Sequence, residues 1–488
     1  MTSERSSSLE KKLETEKENG AVVVVFWFSI ISLFGASLGN WIHRWRNPKC
    51  NGKLPPGSMG LPLLGETLSF FVTSNSIDIH PFVAQRMKRY GSLFKTSLAG
   101  RPVVVSLDPD FNYFVLQQEE KLVELYYMDS VAKLVHQDDM KNLGGDFHKY
   151  FRRVILSHFG HEPLKHKLLS QFEDVINHEL QDWSKLPQVD LKHQTASMLF
   201  NVASKILMSC VPEENLGHDL SDILQGLMTF PVYFPGTAFY KCLKKKEKAL
   251  KLTSGVLEER MNLYPTDKGD LLEKMVGDMG NEAGLTKQFV SHALFGLLIA
   301  TIETIAPTVT LAAKYLLDNP SALQHLTEEH ERIVKKRGDA KSGVSWDDYK
   351  SMTFTHYVIN ETLRLGNFLP GIFRRTIADI PVDGYTIPKG WILLIIPAVL
   401  HLNPNTYEDP LAFNPWRWKV DSMHVNMYLT LDLTRIYAIG IHLCVTCEPI
   451  SHGLMCDLTT LSAIQWQRNS YHLVEGIGHV QEQSSAGF

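Results

Sequence analysis

Two acids, a hydroxyl and two arginines stand where their neighbours give them chemistry to do. Ala300-Thr301-Ile302-Glu303-Thr304 lies inside a stretch, Ala293 to Ala313, that is apolar nearly all round. A carboxylate and a hydroxyl are costly in such a place unless they serve something. Two uses are open. The pair could bond backbone carbonyls and bend the helix, or it could hold a short water chain that relays protons to a bound oxygen species. Pro307, three residues on, removes a backbone bond and favours a kink. Glu361 and Arg364 have the i, i+3 spacing that puts two side chains on one helix face. Their neighbours Val358, Ile359, Leu363 and Leu365 are apolar, so partial burial follows, and a buried ion pair needs further partners. Arg417, in Phe413-Asn414-Pro415-Trp416-Arg417-Trp418, is the candidate. Near the C-terminus Cys444, Cys447, His452 and Cys456 put four metal-ligand types within 13 residues. A small zinc site is conceivable there, although the spacing fits no standard finger.

These groups need a scaffold, and its elements are legible in outline. Ser92–Leu98 and Pro102–Leu107 are β-rich and meet at Ala99-Gly100-Arg101, which predicts a hairpin. From about Phe111 to Arg337 the pattern is mostly helical. Leu227–Gly236 interrupts it as an apolar, proline-broken loop. Lys241–Lys251 carries six lysines, readable as a solvated helix face or as a contact with an anionic membrane surface. Thr286–Leu317 is the longest helical pattern, and apolarity on every side marks a core helix. It stops at Asp318-Asn319-Pro320, and Ser321–Lys336 follows as an amphipathic helix. Ser345-Trp346-Asp347-Asp348 has the form of an N-cap, and Phe354–Leu365 is another helix. Asp383-Gly384 between two β-rich triplets is a hairpin signal. The class is mainly α with small β-sheets.

Composition narrows the function. The 488 residues are 44% hydrophobic and 21% charged, enough for a large core. Lys and Arg number 49 against 53 Asp and Glu, so no basic field exists to attract nucleic acid. Six cysteines are too few for a disulfide scaffold. Ala21–Leu38 is an uncharged run of 18 residues, roughly 27 Å of helix at about 1.5 Å per residue. Trp41 and Trp45 follow as interfacial aromatics do. The run reads as a membrane anchor, with a signal peptide as its rival. Arg5, Lys11, Lys12 and Lys17 before it balance Arg44, Arg46, Lys49 and Lys53 after it, so charge does not orient it. The expected organisation is a disordered tail over 1–20, an anchor over 21–38, a proline-rich linker over 39–65, a body over 66–419 and a divergent segment over 420–488.

Taken together, these motifs resemble the cytochromes P-450. Glu361-Thr362-Leu363-Arg364 resembles the family's ExxR motif, Phe413–Trp418 its later arginine segment and Ala300–Thr304 its oxygen-activation motif. LPPGSMGLPLLGE at 54–66 and FPVYFPGTA at 230–238 resemble the plant microsomal clan of brassinosteroid and triterpenoid oxidases. The likeness runs over roughly residues 20–420, with the motifs in the expected order.

The resemblance implies a P-450 fold, a haem cofactor and monooxygenase chemistry. It assigns Thr304 and Glu303 to proton delivery and Glu361, Arg364 and Arg417 to a structural triad. It places Arg152 and Arg374 at the haem propionates, where cationic multi-donor groups are needed, and His148 where the family has a tryptophan. Cys444, 27 residues after Arg417, is the implied thiolate ligand of the iron. The loop around it departs from the pattern. His442 stands in for a propionate-binding arginine, and Thr446 for a glycine. From about Val420 onward the haem loop and the helix after it are degraded. Three readings of Cys444 therefore stand open: haem ligand, zinc ligand or no role. The implied function is hydroxylation of a sterol- or triterpenoid-like molecule, with O2 and electrons from an NADPH-dependent flavoprotein reductase. The implied seat is the endoplasmic reticulum membrane, single-pass, with the body facing the cytosol. The alternative is a tethered, catalytically inactive P-450-like protein.

Overall fold

The computed structural model describes residues 27–419 apart from 28, 71, 73–76, 127, 129–145, 160–163, 211–219, 221–222, 224–232, 281–284, 338–342 and 368–370. The elements that matter for the site are α1 (29–46), β1 (Leu93–Leu98), β2 (Arg101–Ser106), β3 (Val123–Leu125), α2 (Asp146–Phe159), α3 (Leu191–Met208), α4 (Ala238–Leu263), α5 (Lys287–Asp318), α6 (Pro320–Lys336), α7 (Thr353–Gly366), β4 (Ile372–Thr376), β5 (Ile380–Val382), β6 (Tyr385–Ile387), β7 (Ile392–Ile395) and the 3-10 turn Pro415–Trp418.

Local chemistry sets most of these limits. α5 starts where the Thr286 side chain accepts the Phe289 N–H, and Pro320 begins α6 at a position where its missing N–H costs nothing. The Ser345 cap forms the reciprocal capping box with Asp348. α7 has no cap of its own. Instead Glu329 of α6 accepts the N–H groups of Phe354 (2.6 Å) and Thr355 (2.9 Å), placing a carboxylate at the positive end of the helix dipole. At its other end Asn367 takes the left-handed conformation, φ 41°, that asparagine tolerates.

α5 is apolar all round because it is covered all round. Its Leu294, Phe295, Leu298 and Ile302 share one core with Phe200 and Leu207 of α3, Phe239 of α4 and Leu363 of α7. Among the described residues it is the one helix long and apolar enough to cross a membrane, and its apolar window is 78% buried, so it is a core helix. α1 is different. It runs to residue 46, past the expected end at Leu38, and Ile31, Leu33 and Phe34 lie exposed on it.

The main sheet has the order β1-β2-β7-β4-β3, parallel at β2–β7 and antiparallel elsewhere. The expected hairpin turns at Ala99 (φ 49°) and Gly100 (φ 74°), the two positive values that a two-residue turn of this hand requires. Asp383 and Gly384 do the same between β5 and β6. The proline-rich stretch lies along β1: the Lys95 N–H donates to Pro56 O (2.7 Å), and a Cβ on Gly57 would sit 2.0 Å from Lys95 O. β3, β4 and β7 were not separately legible in the sequence. β7 is apolar throughout because both of its faces are covered: Leu393 and Ile395 pack into one core cluster, Ile392 and Leu394 into another.

Candidate active site

Glu361 is wholly buried, and its two oxygens are met by five donors. Arg364 approaches as a fork, Nε to Oε2 at 2.9 Å and Nη2 to Oε1 at 2.8 Å. Arg417 Nε reaches Oε1 at 2.9 Å, so the three side chains are joined through one carboxylate. Two further donors come from the same 3-10 turn and its cap: the Asn414 backbone N–H on Oε1 (2.9 Å) and the Trp418 indole N–H on Oε2 (3.0 Å). Two guanidinium groups outweigh one carboxylate, and carbonyl oxygens absorb the excess. Arg364 Nη1 donates to His401 O (2.8 Å) and Pro410 O (2.6 Å), and Arg417 Nη1 to Glu408 O (2.9 Å). The Tyr407 ring lies 4.9 Å from the Arg364 guanidinium carbon and 5.9 Å from that of Arg417. Burial, aided by the Arg364 charge, pushes the His401 imidazole down to about 4, and its Nδ1 lies 2.8 Å from Asn367 Oδ1.

The other candidate pair sits mid-way along α5. Thr304 is buried, and its hydroxyl donates to Ala300 O at 2.9 Å. Thr301 and Thr308 do likewise to Leu297 O (2.9 Å) and Thr304 O (2.7 Å), so three hydroxyls occupy one stripe of the helix. Pro307 lies inside an unbroken α5 and has no N–H to give the carbonyl of Glu303. Glu303 is 8% exposed, and its charge acts, after burial, on the Cys242 thiol of α4. Burial is the larger cause there, and the thiol is pushed up to about 12. One turn on, Lys246 is buried and falls to about 8 for lack of solvent. The six-lysine stretch therefore has one lysine turned inward and the others at or near the surface.

Arg374 is 2% exposed, with Nε on Glu119 Oε2 at 2.7 Å and Nη1 on Phe373 O at 2.8 Å. Arg152 is half-buried on α2. That helix is tied to the start of α5 by a T-shaped contact between Phe151 and Phe289. His148 falls in its first turn, where side chains are outside the described residues; His442, Cys444 and the zinc candidates lie outside them altogether. Among the described residues no cluster of three metal-ligating side chains exists.

Sequence reasoning missed Asn414, Trp418, Tyr407, His401 and Glu119. Trp418 carried a signal, since an indole donor directly after the acid-seeking Arg417 needs an acceptor. Asn414 acts through its backbone, and Glu119 is 255 positions from its partner, so neither left one.

Residues 55–429 match the family Cytochrome P450, a match that ends before His442 and Cys444. Over 384 residues the chain is 43% identical to Cytochrome P450 87A3 of Oryza sativa subsp. japonica, covering 78% of this chain and 75% of that protein. It is 41% identical over 400 residues to Beta-amyrin 16-alpha-hydroxylase of Maesa lanceolata, with 80% and 84% covered. Against Cucurbitadienol 11-hydroxylase of Siraitia grosvenorii the identity is 40% over 402 residues, with 81% and 85% covered. Among solved structures, retinoic acid-bound cyanobacterial CYP120A1 has the same fold, with a TM-score of 0.71 at 22% identity over 83% of this chain and 91% of that one. The inactive alternative draws no support from these relatives, two of which are named as hydroxylases.

Proposed function

The chain belongs to the cytochrome P450 family of haem monooxygenases, and from that premise we propose that it hydroxylates a sterol- or triterpenoid-like molecule. O2 and electrons passed from NADPH by a flavoprotein reductase complete the proposed reaction. The observation that carries the reading is the acid–alcohol pair Glu303-Thr304, buried in the long core helix α5 beside α7. The relatives' names supply the substrate class.

The donor chemistry on the described side fits haem. Arg374 is a buried, multi-donor cation suited to one propionate, and Arg152 on α2 is suited to the other. Haem, when bound, supplies the iron chemistry of oxygen activation, which a cysteine thiolate from Cys444 would favour. The proposed role of Thr304 is to hold a proton at Oγ1. While its O–H donates to Ala300 O, the oxygen keeps lone pairs to which a water can bond. The proposed role of Glu303, next to Thr304 in the chain, is to take up protons and pass them to the same water. Glu361 does no chemistry; it holds the turn at 415–418 against α7. The proposed seat is the endoplasmic reticulum membrane, through one span, with the body on the cytosolic side.

The test uses the full chain in microsomes with a reductase and three probes: β-amyrin, cucurbitadienol and cholesterol. Hydroxylated product from at least one, together with a red-shifted Soret band in the reduced carbon monoxide complex, is the expected result. Absence of both would sink the reading. Thr304→Val should lower product formation on the order of a hundredfold at unchanged haem content; unchanged turnover would remove Thr304 from the relay.

A further inference from the structure

Arg374 and Arg375 are neighbours in β4, and each meets a glutamate from the segment that ends in β3. Arg375 Nε donates to Glu124 Oε1 at 2.6 Å with both side chains near half exposure, 49% and 40%. Arg374 points to the other face, as strand alternation requires, and meets Glu119 at 2.7 Å with its own side chain 2% exposed. An exposed pair contributes little. A buried arginine without an anion would be a large liability.

The backbone that brings Glu119 there is held tightly. Leu122 N–H donates to Gln118 O (2.9 Å), Glu120 N–H to Val123 O (2.8 Å) and Ile377 N–H to Leu122 O (2.9 Å). Glu120, next to Glu119, has φ 65°, a left-handed value that glutamate rarely adopts. Arg374 is equally fixed, because β4 pairs with β3 on one side and β7 on the other. Both partners thus sit on set backbone, and the Nε edge of the guanidinium is turned toward Glu119 by construction.

We infer that Glu119 is a positioning residue and the standing counter-ion of Arg374, so that a haem propionate meets this arginine as its second anion, not its first. The inference rests on the assignment of Arg374 to a propionate. Glu119 fixes the guanidinium plane through Nε and keeps one negative charge beside the haem edge. Removing that charge favours the reduced iron, which carries one positive charge fewer.

The test compares wild type, Glu119→Gln and Arg374→Ala as full chains loaded with haem. Glu119→Gln keeps an acceptor for Nε and removes the charge. It should shift the reduction equilibrium toward the ferrous form about tenfold, equivalent to about 59 mV for one electron, at unchanged haem content. Glu119→Ala should speed haem transfer to an apo-globin acceptor about tenfold, and Glu119→Asp should restore the wild-type rate in part. Wild-type potential in Glu119→Gln, or a wild-type transfer rate in Glu119→Ala, would overturn the counter-ion while leaving the propionate assignment intact. Unchanged haem retention in Arg374→Ala, or no haem in the wild type, would overturn the parent assignment and this inference with it.

Discussion

Helices α4 and α7 each carry an acid and a base three residues apart, and the two pairs have opposite standing. In α4, Lys244 Nζ lies 2.8 Å from Glu247, with the side chains 49% and 53% exposed. In α7, Arg364 lies 2.8 Å from Glu361, with side chains 1% and 0% exposed. Spacing and distance are alike. The difference is that three donors from residues 414–418 close over the second pair, while water closes over the first. An ion pair's worth is decided by what covers it and by whether every remaining lone pair finds a proton.

The comparison can be broken most forcibly at Arg364. Arg364→Ala leaves Glu361 a buried anion short of two donors and should cost about 3–5 kcal/mol, read as loss of the folded fraction in a thermal melt; a loss below about 1 kcal/mol would put the two helices on a par. His401 offers a test by pH. Its folded value, about 4, lies below its ordinary 6.5, so the unfolded chain binds the extra proton between those values. Stability complete above pH 6.5 should fall by about 2 kcal/mol as pH drops to 4, allowing for partial exposure. In His401→Gln that part of the acid slope should vanish, and an unaltered slope would reject the assignment. Trp418→Phe keeps a ring and deletes one donor to the carboxylate, with an expected loss of about 1.5–2 kcal/mol, measured as a shift in denaturant midpoint. The smallest effect belongs to α4: Glu247→Ala should leave the denaturant midpoint where it is in the wild type, and raised salt should make no further difference. A loss as large as that of Trp418→Phe would mean that exposure misjudges the α4 pair.

The contrast also marks what could be read from residues alone. Glu361, Arg364 and Arg417 were legible because apolar neighbours at helical spacing imply burial, and burial demands partners. α5 was legible from its all-round apolarity and from Thr286 and Pro320 at its ends. Both hairpins announced themselves at Ala99-Gly100 and Asp383-Gly384. The inward turn of Lys246 was not legible, because a lysine run looks like a solvated face until the packing of α4 on α5 is known. The pairing of Arg374 with Glu119 was hidden for a related reason. It depends on the register of β3 against β4, and strands of three and five residues carry too little pattern to fix a register.

The clasp at Glu361 also sets a boundary for any shortened version of this protein. It joins α7 to residues lying 53 to 57 positions further along the chain. A truncation that ends before Asn414 would strip three of the five donors from a carboxylate sealed off from solvent. Any fragment that keeps α7 in place must therefore reach at least Trp418, and a cut before Asn414 should yield insoluble material even though α1 to α7 all remain in it.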